Sequence, residues 1–316
     1  MPEACGAGLT SGVGNRKSAR RPFSNASPGH DIGLHETLAM PRFRHGFFSP
    51  LITLLTEPAI TGDSLRGLAA HRRLLLFAVL TGAALLINQY LAINGSLRHL
   101  VDALADFTGE SRTLLWRDVR QSGFAGLLGQ ARWAGWLLLG YVIMPILVIR
   151  FVLRERLADY GLRWGDTGVH YRYYLLFGGV MASLAFIASF SDTFLNTYPF
   201  YPLAGRSWLD LLLWELLYVV QFFCIEFFYR GVLLRGLRPV MGLYAMYVSS
   251  LVYLTIHLPK PFMECFGSLL FGLLLCLLAW RCRSIWGGVL VHVCLAVSMD
   301  VLSLMQRGAL PGSLLP

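Results

Sequence analysis

Glu226 and Arg230 stand four residues apart in Trp214–Gly231, a stretch otherwise made almost wholly of apolar side chains. A charge placed inside hydrocarbon costs several kcal/mol, so such residues usually face a bundle interior and serve a function. At i and i+4 the two share a helix face and can pair. Glu215 precedes Glu226 by eleven residues, three helical turns or about 16 Å along the axis, on nearly the same face. Further along, Gln221, His257, Glu264, His292 and Asp300 are the other polar groups set into apolar runs. One carboxylate and two histidines form a sound set for hydrolysis. The carboxylate can take a proton from water, and a histidine can orient that water or donate to a developing oxyanion. Glu226, His257 and His292 would equally suit zinc with one open position, although no HExxH signature is present.

The elements that must hold these groups are membrane helices. Of 316 residues, 55% are hydrophobic and 14% charged, with a mean hydropathy of +0.56; this is the composition of a polytopic membrane protein. We expect an all-α bundle of about seven spans: Leu74–Ile93, Trp133–Leu153 with a kink at Pro145, Tyr173–Phe190, Trp208–Leu234, Val240–Leu258, Phe262–Cys282 and Ser284–Met305. Residues 1–45 are Gly, Ser, Pro and Arg rich and read as a disordered basic segment, with Met1 or Met40 as the start and a weak interfacial helix over Phe47–Leu68. Residues 46–160 read as an N-terminal transmembrane region whose Asn94–Arg132 loop carries amphipathic helices, and 161–308 as the core bearing the chemistry. The net charge of +9 comes almost wholly from arginine, and arginine-rich ends lie before the first span, between the second and third, and after the fourth. These ends fall on one side if the spans alternate, which makes that side and the N-terminus cytoplasmic. No basic patch interleaved with aromatics points to nucleic acid. The six cysteines form no CxxC and read as core residues. A proton-coupled transporter would use similar buried groups, but no inverted repeat is visible.

Three short patterns carry a resemblance. Glu226-Phe-Phe-Tyr-Arg230, Tyr253-Leu-Thr-Ile-His257 and Gly287-Gly-Val-Leu-Val-His292 resemble the EExxxR, FxxxH and HxxxN/D motifs of the CAAX-protease and bacteriocin-processing family of intramembrane proteases, over about residues 160–305. The chain departs from the pattern at Ile225, in place of the first Glu, and at Ala296, in place of the Asn or Asp. The resemblance implies a metal-free glutamic endopeptidase of the bacterial cytoplasmic (inner) membrane, cleaving near the C-terminus of a prenylated, otherwise lipid-anchored or sorting-signal protein. In it Glu226 activates water, His257 orients that water, His292 stabilises the oxyanion and Arg230 holds Glu226 ionised. Asp300 supports His292, Glu264 supplies a missing polar contact, and Glu215 belongs to the same polar stripe. The alternative is a non-catalytic protein of the same fold, in an immunity, chaperone or scaffold role.

Overall fold

The computed structural model describes residues 67–316. The basic segment 1–45, the choice between Met1 and Met40, and all but the last two residues of the helix expected over Phe47–Leu68 lie outside the described residues. Ten helices follow: α1 Leu68–Ile93, α2 Leu97–Thr108, α3 Arg112–Gln121, α4 Ala125–Leu153, α5 Tyr171–Ala188, α6 Asp192–Thr197, α7 Trp208–Met241, α8 Tyr244–Thr255, α9 Phe262–Cys282 and α10 Trp286–Gln306. No strand occurs among the described residues. Six helices (α1, α4, α5, α7, α9 and α10) are long and apolar enough to cross a membrane.

The stretch Val240–Leu258, expected as a full span, behaves differently. Gly242, at φ 53°, breaks the chain after α7, in a backbone region that favours glycine. The next helix, α8, has only twelve residues, or about 18 Å, and the non-helical segment 256–261 completes the passage. Pro259 and Pro261 lack the N–H groups needed to continue the helix. The preceding helix α7 runs to Met241, past the expected end at Leu234. Pro145 falls in a short α-helical piece, Met144–Leu147, between the π-wound turns Leu139–Ile143 and Val148–Leu153.

Antiparallel packing brings the arginine-rich ends at the start of α1, after α4 and at the close of α7 to one end of the bundle. Arg73 near the start of α1 donates to both Glu155 carboxylate oxygens (2.7 and 3.2 Å) and to the Gly236 carbonyl of α7. Tyr160 also donates to Glu155. Nearby, Arg235 donates to the Ala279 carbonyl of α9, Arg238 stacks on Trp280, and Ile285 N–H meets Gly161 O. Burial pushes the Glu155 carboxyl up, but its bonds to Arg73 and Tyr160 prevail and hold it below the ordinary glutamate range. The clamp's contribution is therefore present above that ordinary range and lost as pH falls through the depressed value. We expect Glu155→Gln to cost about 1–2 kcal/mol at neutral pH and to remove this acid-dependent step. Detergent unfolding followed against pH checks both.

The opposite end carries α2 and α3, the amphipathic helices expected in Asn94–Arg132. Gly109 closes α2 at φ 77°, and Arg112 pairs with Asp106 across the turn. Here α7 begins. Ser207 accepts from Asp210 N–H as the N-cap, and Trp208 and Leu209 donate their N–H groups to the carbonyls of Ser313 and Leu314. The donors that a helix start leaves orphaned are thus satisfied.

Candidate active site

Glu226 is the nineteenth residue of α7, about 27 Å from Trp208 and 22 Å from Met241 at helical rise, hence near mid-depth. His257 follows the end of α8, about 20 Å from the arginine-rich end. The extension of α7 to Met241 sets Glu226 deep enough to bring the two to similar depth.

Just past Glu226, α7 widens into a π-helical turn over Phe227–Leu233, a distortion often found at functional sites. Glu226 and Arg230 are completely buried. Arg230 Nη1 lies 3.2 Å from Glu226 Oε1, and its guanidinium carbon sits 4.1 Å from the centre of the Tyr253 ring. His292 Nδ1, on α10, donates to the same Oε1 at 2.8 Å. The imidazole is stacked on Phe222 of α7 and meets Phe271 of α9 edge-on, which fixes its plane. The other oxygen, Oε2, is buried and without a hydrogen-bond partner.

Gly288 makes room beside that oxygen. A Cβ built there would lie 2.5 Å from Oε2, and the three atoms nearest to it all belong to Glu226. Gly288 and Gly287, which the sequence suggests are helix-packing positions, therefore let α10 approach the carboxylate. We expect Gly288→Ala to destabilise the fold by about 1–3 kcal/mol through overpacking, despite the better helix propensity of alanine. Gly267→Ala on α9, where a Cβ meets nothing within 4 Å, is the matched control and is expected to be neutral or slightly stabilising. Thermal unfolding of both variants in detergent tests the contrast.

His257 does not touch Glu226 directly. Its Nε2 lies 3.4 Å from Tyr253 Oη, and the same hydroxyl lies 3.1 Å from His292 Nε2. The sequence gives Tyr253 only as a mild replacement for a motif Phe, yet its hydroxyl stands between the two histidines. The signal was the hydroxyl itself, one helical turn before His257.

The remaining candidates lie elsewhere. Asp300 is buried and accepts from Trp214 Nε1 at 2.6 Å, rather than bonding to His292. Glu264 accepts from Tyr198 Oη (2.9 Å) and pairs with Lys260 (3.0 Å). Both Glu215 carboxylate oxygens are buried without a hydrogen-bond partner, near enough to Asp300 to feel its charge. These groups form a second polar zone toward the α7 start. Ile225 is half-buried. Ala296 packs in an apolar wall with Trp214, Tyr218 and Leu304. The zinc set is not assembled: among the described residues no three His, Cys, Asp or Glu side chains converge where a metal could sit. His292 already uses one nitrogen on Glu226 and the other on Tyr253.

Residues 206–298 match the family model of the type II CAAX prenyl endopeptidases, Rce1-like. This segment belongs to the CAAX-protease family. The Rce1-like segment spans α7, α8, α9 and the first part of α10, and so holds Glu226, Arg230, Tyr253, His257 and His292, while Asp300 lies just beyond it. That family is one of proteases. No curated protein and no solved structure matches the chain at a significant level.

Proposed function

We propose that the protein is an intramembrane endopeptidase of the glutamic type. The observation that carries this reading is the buried Glu226 carboxylate, with Oε1 held by Arg230 and His292 while Oε2 stays unpartnered beside Gly288. In this reading Oε2 takes a proton from water as the hydroxide adds to a peptide carbonyl. Arg230, 3.2 Å from Oε1, supplies the counter-charge to the carboxylate. His292 orients the carboxylate. His257, half-buried at the end of α8, orients the attacking water by accepting from it through Nε2. His292 leaves the oxyanion role expected from the sequence because its Nδ1 faces Glu226. In this reading water enters beside segment 256–261, where the backbone is non-helical.

The substrate is a membrane protein or lipid-anchored peptide cut near its C-terminus, prenylated or carrying a sorting signal, delivered through the bilayer. The arginine-rich end faces the cytoplasm, and the membrane is the bacterial inner membrane. The second reading, a non-catalytic protein of the same fold, is favoured by Ile225 and by Ala296, which places no polar group one turn past His292. Mapping C-termini across the membrane proteome separates the two. Wild type is compared with His257→Ala and with the paired substitution Glu226→Gln/Arg230→Met. New C-termini made by wild type alone are expected; identical termini in all three samples favour the non-catalytic protein.

A further inference from the structure

The two histidines face one hydroxyl, and a hydroxyl has one hydrogen. His257 Nδ1 lies 3.3 Å from the Tyr253 carbonyl and can bond only by donating, which leaves Nε2 as an acceptor toward Tyr253 Oη. His292 Nδ1 bonds a carboxylate oxygen, so in its neutral form Nε2 is also an acceptor toward Oη. Tyr253 can then serve one imidazole at a time, unless one of them carries its own hydrogen and donates to the hydroxyl while the hydroxyl donates to the other. The ring bearing this hydroxyl is 1% exposed. Arg230 packs on one side of it and Tyr229 meets it edge-on at 5.3 Å, so the ring cannot swing away from either histidine. The charged and titratable groups facing this chain are Glu226 and Arg230 of α7, Cys276 and Glu264 of α9, and Lys260 of the connecting segment.

We infer that Tyr253 is a positioning residue that couples His257 to the Glu226–His292 pair, so that the hydrogen on one histidine depends on the state of the other. The inference rests on the proposed hydrolysis for its purpose, but not for its test. It explains how a site with isoleucine at 225 holds His257 in step with a carboxylate that His257 does not touch.

The experiment is a spectroscopic cycle on the full chain in detergent, reading ¹⁵N-histidine ring signals across pH. In wild type, His257→Ala is expected to shift the His292 ring signals and their titration. In the Tyr253→Phe background, which keeps the ring under Arg230, the same His257→Ala change is expected to leave His292 unmoved. Tyr229→Phe removes a neighbouring hydroxyl that bonds Tyr141 instead, and is expected to preserve the coupling. The inference is overturned if His292 responds equally with and without the Tyr253 hydroxyl, or in neither background. Where wild type cleaves substrate, Tyr253→Phe is further expected to lower kcat about tenfold or more with KM unchanged, as for a displaced reacting group. A wild type that cleaves nothing counts against the proposed function alone, because the spectral cycle still decides the coupling.

Discussion

Arg230→Met is expected to destabilise the folded protein by about 3–5 kcal/mol, the cost of stranding one member of a buried ion pair. Glu226 is fully buried and its ionic partner is Arg230 at 3.2 Å. Without it the carboxylate keeps only the His292 hydrogen bond and loses its counter-charge at mid-depth. Glu226→Gln should cost a similar amount for the mirror reason, since the guanidinium then lies buried without a counter-charge. Replacing both together is expected to recover most of the loss, because exchanging a buried pair for uncharged groups of similar volume is often neutral. Reversible unfolding of the two singles and the double in mixed detergent gives the coupling energy directly. Additive losses would mean that the pair does not act as a unit.

Stability and cleavage should then part company. The double substitution Glu226→Gln/Arg230→Met is expected to fold nearly as well as wild type and still cleave about 10²–10⁴-fold more slowly, the usual contribution of a positioned proton acceptor. An amide can accept the His292 hydrogen bond but cannot take a proton from water. Single-turnover rates on a reconstituted substrate, measured on protein shown to be folded, separate this from a simple loss of structure. A folded double variant that cleaves at the wild-type rate would remove Glu226 from the chemistry.

Much of this arrangement is legible in the sequence because membrane burial makes polar residues expensive. Glu226, Arg230 and His292 stand out from their neighbours by cost alone, and hydropathy sets the positions of six long helices to within several residues. What hydropathy misses is where a helix stops inside an apolar run. Val240–Leu258 is as greasy as a full span; Gly242, Pro259 and Pro261 were the only marks that α8 would be short. Arg235 and Arg238 follow Leu234, the expected end of α7. They extend it instead, because one caps an α9 carbonyl and the other stacks on Trp280. Spacing along one helix also cannot show a partner on another. Asp300 sits on the same helix as His292 but bonds to Trp214 of α7. Tyr253 gains its meaning from α10, and Gly288 from α7.

The brevity of α8 bears on how the protein is made. A helix of twelve residues falls well short of the roughly 20 needed to span hydrocarbon, and its follow-on segment is non-helical backbone, which is tolerated at membrane depth only under protein cover or beside a water-lined cavity. It is therefore a poor passenger for the insertion machinery on its own. Its stable lodging depends on α9, the long helix synthesised after it, and His292 arrives later still on α10. The group proposed for hydrolysis is thus completed only when the last long helices have entered the bilayer, and until then Glu226 stands in the membrane without His292.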